Sequence, residues 1–197
     1  MKKTISLLGL LIAFLMFSAV AKADQIVFTT TLTGPQEVPP TASPGIGSAL
    51  VTLDTVTNQL TINLAFAGLL SPTTAAHIHC CAGPTGTAIP ATTVPTFPGF
   101  PLGVTTGTFL QTFDLTVAAT FNPAFIAAHG GTVAGAQAAF IAGLLSGQTY
   151  LNIHTSQFPG GEIRGQLEAV PEPATLLLLT TGIAGVAGAV RKRRKAS

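Results

Sequence analysis

The chain has 197 residues, 47% of them hydrophobic and 8% charged, with a formal net charge of +2. Eight of the nine Lys/Arg lie at the two ends (Lys2, Lys3, Lys22 and Arg191, Lys192, Arg193, Arg194, Lys195), so the middle sets one arginine, Arg164, against Asp24, Glu37, Asp54, Asp114, Glu162 and Glu168. One arginine builds no basic patch, which excludes nucleic-acid binding and disfavours phosphate handling.

In chain order, Lys2 and Lys3 precede an apolar run from Ile5 to Val20 that closes in Ala21-Lys22-Ala23, a small-x-small cleavage pattern. Residues 1–23 thus read as a signal peptide with a short helix, recognised by the export machinery. The central domain spans 24–169, long enough for a real core. Alternating runs rich in Thr, Val, Ile, Leu and Phe predict strands over Ile26–Thr33, Gly47–Leu53, Gln59–Phe66, Ala75–Cys80, Thr108–Thr116, Thr149–Thr155 and Glu162–Glu168. Gly34-Pro35, Thr57-Asn58, Ser71-Pro72 and Pro159-Gly160-Gly161 supply turns between them. Seven short strands argue for a mainly β fold, an antiparallel β-sandwich.

Two segments break the pattern. Residues 82–107 hold five Pro and five Gly around Phe97 and Phe100; a loop of this length either covers a sheet edge or binds something. Asn122-Pro123 is a helix start, and Val133, Ala136, Gln137, Phe140 and Leu144 follow helical spacing up to Gly147. One or two helices are therefore expected between 123 and 146. His129 falls at the end of a short helix, where a capping role is the default.

The chain ends in Pro171-Glu172-Pro173, an apolar stretch from Ala174 to Val190 and the basic cluster 191–195. Seventeen apolar or small residues are at the short limit of a transmembrane helix, with the basic cluster on the cytoplasmic side. Residues 170–197 resemble the PEP-CTERM sorting signal of Gram-negative bacteria. That resemblance implies recognition by an exosortase-type sorting protease, a transient inner-membrane anchor, loss of the tail, and delivery to the cell envelope or extracellular matrix.

Four motifs carry a second resemblance: Leu32-Thr33-Gly34-Pro35-Gln36-Glu37-Val38-Pro39-Pro40, His77-Ile78-His79, Asn152-Ile153-His154-Thr155, and Gly161-Glu162-Ile163-Arg164-Gly165-Gln166-Leu167. In this order they resemble the CHRD domain, first described in chordin, over residues 26–168. The resemblance implies an immunoglobulin-like or superoxide-dismutase-like sandwich and brings no established activity. Cys80-Cys81 and the long Pro-rich loop depart from the family pattern.

Residues two apart on a strand share a face. His77 with His79, Asn152 with His154, and Glu162 with Arg164 and Gln166 are therefore expected to converge in one polar cluster. The sharp reading is a metal site in which His77, His79 and His154 hold Cu or Zn with ring nitrogens within roughly 4 Å of one another. An Arg164 close by would repel such a cation unless Glu162 neutralised it. The plainer reading is a buried network in which Arg164 and Glu162 satisfy the imidazoles and Asn152; a ligand-binding face is the third. Cys80 and Cys81, adjacent and in an oxidising compartment, leave three outcomes: a vicinal disulfide, an intermolecular bridge, or soft metal ligands.

The sequence carries no Gly-x-Ser-x-Gly elbow, His-Glu-x-x-His, phosphate loop or dinucleotide fingerprint. The expected function is that of an exported, non-enzymatic envelope or matrix protein without a required cofactor, its low charge and many hydroxyls suiting a polysaccharide matrix. The competing expectation is a Cu/Zn metalloprotein built on the three histidines.

Overall fold

A computed structural model describes residues 25–171. The signal segment, with Ala21 and Ala23, and the tail from Glu172 onward, with Pro173 and the apolar span, lie outside the described residues. Among the described residues eight strands form: β1 (Gln25–Thr33), β2 (Ile46–Asp54), β3 (Gln59–Ala67), β4 (Thr73–Cys80), β5 (Gly107–Asp114), β6 (Thr149–Thr155), β7 (Ile163–Gln166) and β8 (Glu168–Ala169). Two helices, α1 (Pro123–Ala128) and α2 (Val133–Leu145), interrupt them before β6.

The strands are hydrogen-bonded in the order β4-β6-β7-β1-β2-β3-β5, with β8 beside β1. Every pairing is antiparallel. The sandwich is therefore one curled sheet rather than two separate ones. β1 is where it turns: it pairs β2 over its full length but meets β7 only at Thr33↔Arg164. Alternation drives the curl. Val51, Leu53, Leu60, Ile62 and Leu64 from one half and Ala76, Ile78, Leu151, Ile153 and Ile163 from the other belong to a single buried cluster. Their neighbours along β2 and β3 face outward, polar Ser48, Thr52, Thr61 and Asn63 alongside apolar Ile46, Leu50, Ala65 and Ala67.

Most strand ends fall within one or two residues of the expected bounds, and two of the differences have a local reason. The fifth strand stops at Asp114, whose carboxylate accepts the Thr116 amide (2.7 Å) and hydroxyl (2.6 Å) and so turns the chain. The run 162–168 breaks in two: β7 begins at Ile163, Leu167 enters the core, and β8 moves over to β1.

Both helices start on side-chain caps. Asn122 accepts from the Ala124 amide at 3.0 Å and Thr132 from the Gly135 amide at 3.1 Å. Phe125, Phe140 and Leu144 are fully buried under them. His129 closes α1, its Nδ1–H donating to the Phe125 carbonyl at 2.8 Å while its ring packs on the Phe125 ring.

The Pro-rich segment runs down the open edge of β4 as a strap. The Ala91 and Phe97 amides donate to the Ile78 and Ala76 carbonyls (2.9 and 3.1 Å), and the Ile78 and Ala76 amides donate to the Thr92 and Thr96 hydroxyls (3.0 and 2.9 Å). Phe97 and Phe100 are buried against Phe109 and Phe66. Of the two roles open to this loop, covering the edge is the one its backbone performs; an unpaired edge would invite another strand.

Candidate functional site

The face of β4, β6 and β7 turned away from the apolar core carries in-register rows of polar side chains. His77 pairs Asn152, which pairs Arg164; His79 pairs Tyr150, which pairs Gln166; Ala75 pairs His154. Strand parity thus brings His77, His79 and His154 together as expected. They offer ligand nitrogens that all lie within 4.8 Å of one another, with His77 Nδ1 3.3 Å from His154 Nε2. His77 and His79 are each 6% exposed.

Each imidazole spends one nitrogen on a backbone carbonyl. His77 Nε2 lies 2.6 Å from Pro95 O, His79 Nδ1 2.8 Å from Ala88 O, and His154 Nδ1 2.9 Å from Pro159 O. A carbonyl oxygen only accepts, so each of these nitrogens carries the ring proton. The opposite nitrogens are then bare lone pairs. His79 Nε2 is buried with no hydrogen-bond partner. Burial first, then the neighbouring His154, holds His77 down to about 4. Burial also holds His79 at about 4, against the pull of its hydrogen bond to Ala88, and it lowers His154. The three rings are neutral at physiological pH.

Arg164 shares this face, and its hydrogen bonds go to backbone carbonyls rather than to the imidazoles, though its charge reaches His79. It is 2% exposed, and it donates to Gln36 O (2.6 Å), Pro84 O (2.7 Å) and Gly86 O (3.0 Å), tying the strap to the turn after β1. Its guanidinium lies 4.5 Å from the centre of the Tyr150 ring, and that ring stacks on His79 at 4.7 Å. The nearby carboxylate is Glu37 rather than Glu162. Glu37 is buried, its Oε1 has no partner, and burial raises it to about 7 against the opposing charge of Arg164.

The expected network of Arg164 and Glu162 around the imidazoles is corrected by this arrangement. Glu162 is fully buried elsewhere: its carboxylate accepts from Ser43 Oγ, the Leu70 amide and Thr155 Oγ1, all at 2.6 Å. It precedes β7 and follows Gly161 at φ +128°, so strand alternation does not set its direction. Asn152 does sit between His77 and Arg164, with its Oδ1 buried and without a partner.

Cys80 and Cys81 form a vicinal disulfide, so neither offers a thiolate to a metal. The pair packs against α2 at Gly143, where any β-carbon would run into Cys80 Sγ. Tyr150, Glu37 and the three carbonyl acceptors are parts of the site that sequence reasoning missed. Tyr150 was within reach, since it stands two residues before Asn152 on the same strand.

Fold and site together define a β-sandwich domain with a buried, histidine-lined polar face on one half of its sheet. Residues 28–167 match the family model of the CHRD domain, and the chain belongs to that family. Residues 169–194 match the PEP-CTERM protein-sorting motif, which supports export to the envelope of a Gram-negative bacterium through exosortase-type sorting machinery. Neither a curated protein nor a solved structure matches the chain.

Proposed function

We propose that this chain is a non-enzymatic protein of the cell envelope or extracellular matrix, displaying its CHRD domain among matrix polysaccharides after a transient stay in the inner membrane. The observation that carries this reading is the surface. Among the described residues the only Lys or Arg is Arg164, and it is buried. Asp54, Asp114 and Glu168 are the carboxylates that remain outside the buried set. Away from Asp54 and Asp114 in its end row, the outer face of β1, β2, β3 and β5 is uncharged and carries hydroxyls: Thr31, Ser48 and Thr108 lie in one register row, Thr52, Thr61 and Thr112 in another, with exposed Leu50 and Leu110 in the row between. Such a face meets a neutral glycan through hydrogen bonds without long-range charge selection.

The test is fractionation of cells producing the full chain, followed by co-sedimentation of the purified protein with isolated exopolysaccharide. Recovery in the envelope or matrix fraction, with sedimentation insensitive to salt, is the expected result. Matrix-free protein that fails to sediment with the polymer would remove the basis for this reading.

A further inference from the structure

We infer that His77, His79 and His154 form a mononuclear transition-metal site that takes Cu(II) in preference to Zn(II). This goes beyond the display role proposed above and does not depend on it.

The inference rests on where the ring protons must be. Pro95 O, Ala88 O and Pro159 O each face one nitrogen of the three rings, at 2.6, 2.8 and 2.9 Å. Those nitrogens are donors. The remaining ones, His77 Nδ1, His79 Nε2 and His154 Nε2, are acceptors. Two of them stand 3.3 Å apart with no proton to share, and the third is buried with no partner. Three converging lone pairs without a donor are an unfavourable arrangement for a structural network, since each unpaired buried acceptor costs free energy. They are the donor set a metal ion requires. A backbone carbonyl holding the far nitrogen of each ring is the usual support of a metal-binding histidine, fixing both tautomer and ring orientation.

One of the distances agrees with the roughly 4 Å expected of such a set. With metal–nitrogen bonds of about 2.0–2.1 Å, two neighbouring ligands stand about 2.8 Å apart at a right angle and about 3.3 Å apart at a tetrahedral one, and His77 and His154, at 3.3 Å, fall at the upper end of that span. The set as a whole is wider, within 4.8 Å, so binding draws the rings slightly inward. Two of the supporting carbonyls come from the strap, and β4 and β6 supply the ligands, so the ligand atoms sit on paired strands rather than on a loose loop. His154 is only partly buried, which leaves a route to solvent and a place for a water or other exchangeable ligand.

Ligand type chooses the metal. Three neutral imidazoles with no thiolate and no carboxylate favour copper or zinc over magnesium or calcium, and the divalent affinity order places Cu(II) above Zn(II). The disulfide removes the sulfur ligands that would hold Cu(I). Arg164 does not forbid the cation. Its charge reaches His79 only as the smallest of the influences on that ring; the Tyr150 ring lies between the two, and three carbonyls meet the guanidinium.

The experiment uses the full chain, purified in detergent, stripped with chelator and titrated separately with Cu(II) and with Zn(II). Bound metal is counted by elemental analysis, and the copper form is examined by electron paramagnetic resonance. One equivalent of Cu(II), bound at least tenfold more tightly than Zn(II) and showing coupling to imidazole nitrogens, is expected. His154→Gln, in the partly exposed ligand, should lose more than tenfold in affinity while keeping the wild-type circular dichroism. His77→Ala and His79→Ala should lose more still. Less than a tenth of an equivalent in the wild type, preference for Zn(II), or copper binding unchanged in His154→Gln and His79→Ala would each overturn the assignment. The wild-type stoichiometry and spectrum decide the matter even if a variant fails to fold.

Discussion

Glu162 and Arg164 stand two apart in sequence, yet they work at different places. Glu162 fastens three segments through Ser43, Leu70 and Thr155, and Arg164 fastens two others through carbonyls. Parity rightly put His77, His79 and His154 on one face, because alternation is a local property of a strand. It failed for Glu162, which lies just outside β7, where a glycine turn sets the direction. The carbonyls of Ala88, Pro95 and Pro159 left no trace in the sequence, since every residue has one. The same side chains make stability depend on pH. Folding holds His77 and His79 at about 4 against an ordinary 6.5, so the unfolded chain binds more protons between those values. That stability is complete above about 6.5 and is lost as pH falls toward about 4. Glu37 acts in the opposite sense: raised from 4.5 to about 7, it stabilises at low pH and loses that contribution as pH rises through about 7. Two histidines outweigh one carboxylate, so chelator-treated protein should show a urea midpoint that drops on acidification below about pH 6.5. Glu37→Gln should gain on the wild type at about pH 8 and forfeit that lead by about pH 5. A midpoint flat with pH in both proteins would contradict the assignment.

At the scale of elements, the strap and the β1–β7 crossing decide how the sheet closes. The sequence showed the strap only as a long stretch of Pro and Gly. Its Thr92 and Thr96 hydroxyls and its spaced amides are what let it follow β4, and that match is visible only once the edge exists. The strands themselves were legible nearly residue for residue, because each buries one face and exposes the other. β7 was the exception. It lies so close to β1 that a β-carbon on Gly165 would run into Thr30 Oγ1 and the Thr31 carbonyl oxygen. The Thr31 obstacle is backbone and cannot swing aside. Gly165→Ala should therefore cost about 1–3 kcal/mol, the usual toll of overpacking, read as a lowered urea midpoint with an unchanged slope. Substitution without any loss would mean that the two strands separate more freely than their packing implies.

At the scale of the molecule, the domain is followed directly by a sorting motif. The PEP-CTERM motif at 169–194 follows the CHRD domain at 28–167 with almost no linker. The last strand, β8, ends at Ala169 and the Val170 amide still bonds to the Val27 carbonyl at 2.8 Å. A sorting protease thus has to act right beside folded structure. Replacing Pro171, Glu172 and Pro173 by Ala should leave the full-length chain in the inner-membrane fraction. The unaltered chain should appear further out and smaller by about the mass of the tail; equal distribution of the two would show that the motif is not read.

The burial of Arg164 has one more consequence. No lysine and no other arginine occurs between residues 25 and 171. Trypsin therefore has a single bond to cut in this region, after Arg164, and in the folded chain that bond lies inside β7 with its side chain clamped by three carbonyls. Cleavage there needs the sheet to open, so its rate counts openings of the domain. The domain carries its own unfolding clock, and while folded its described residues offer no exposed basic side chain to enzymes that cut beside one.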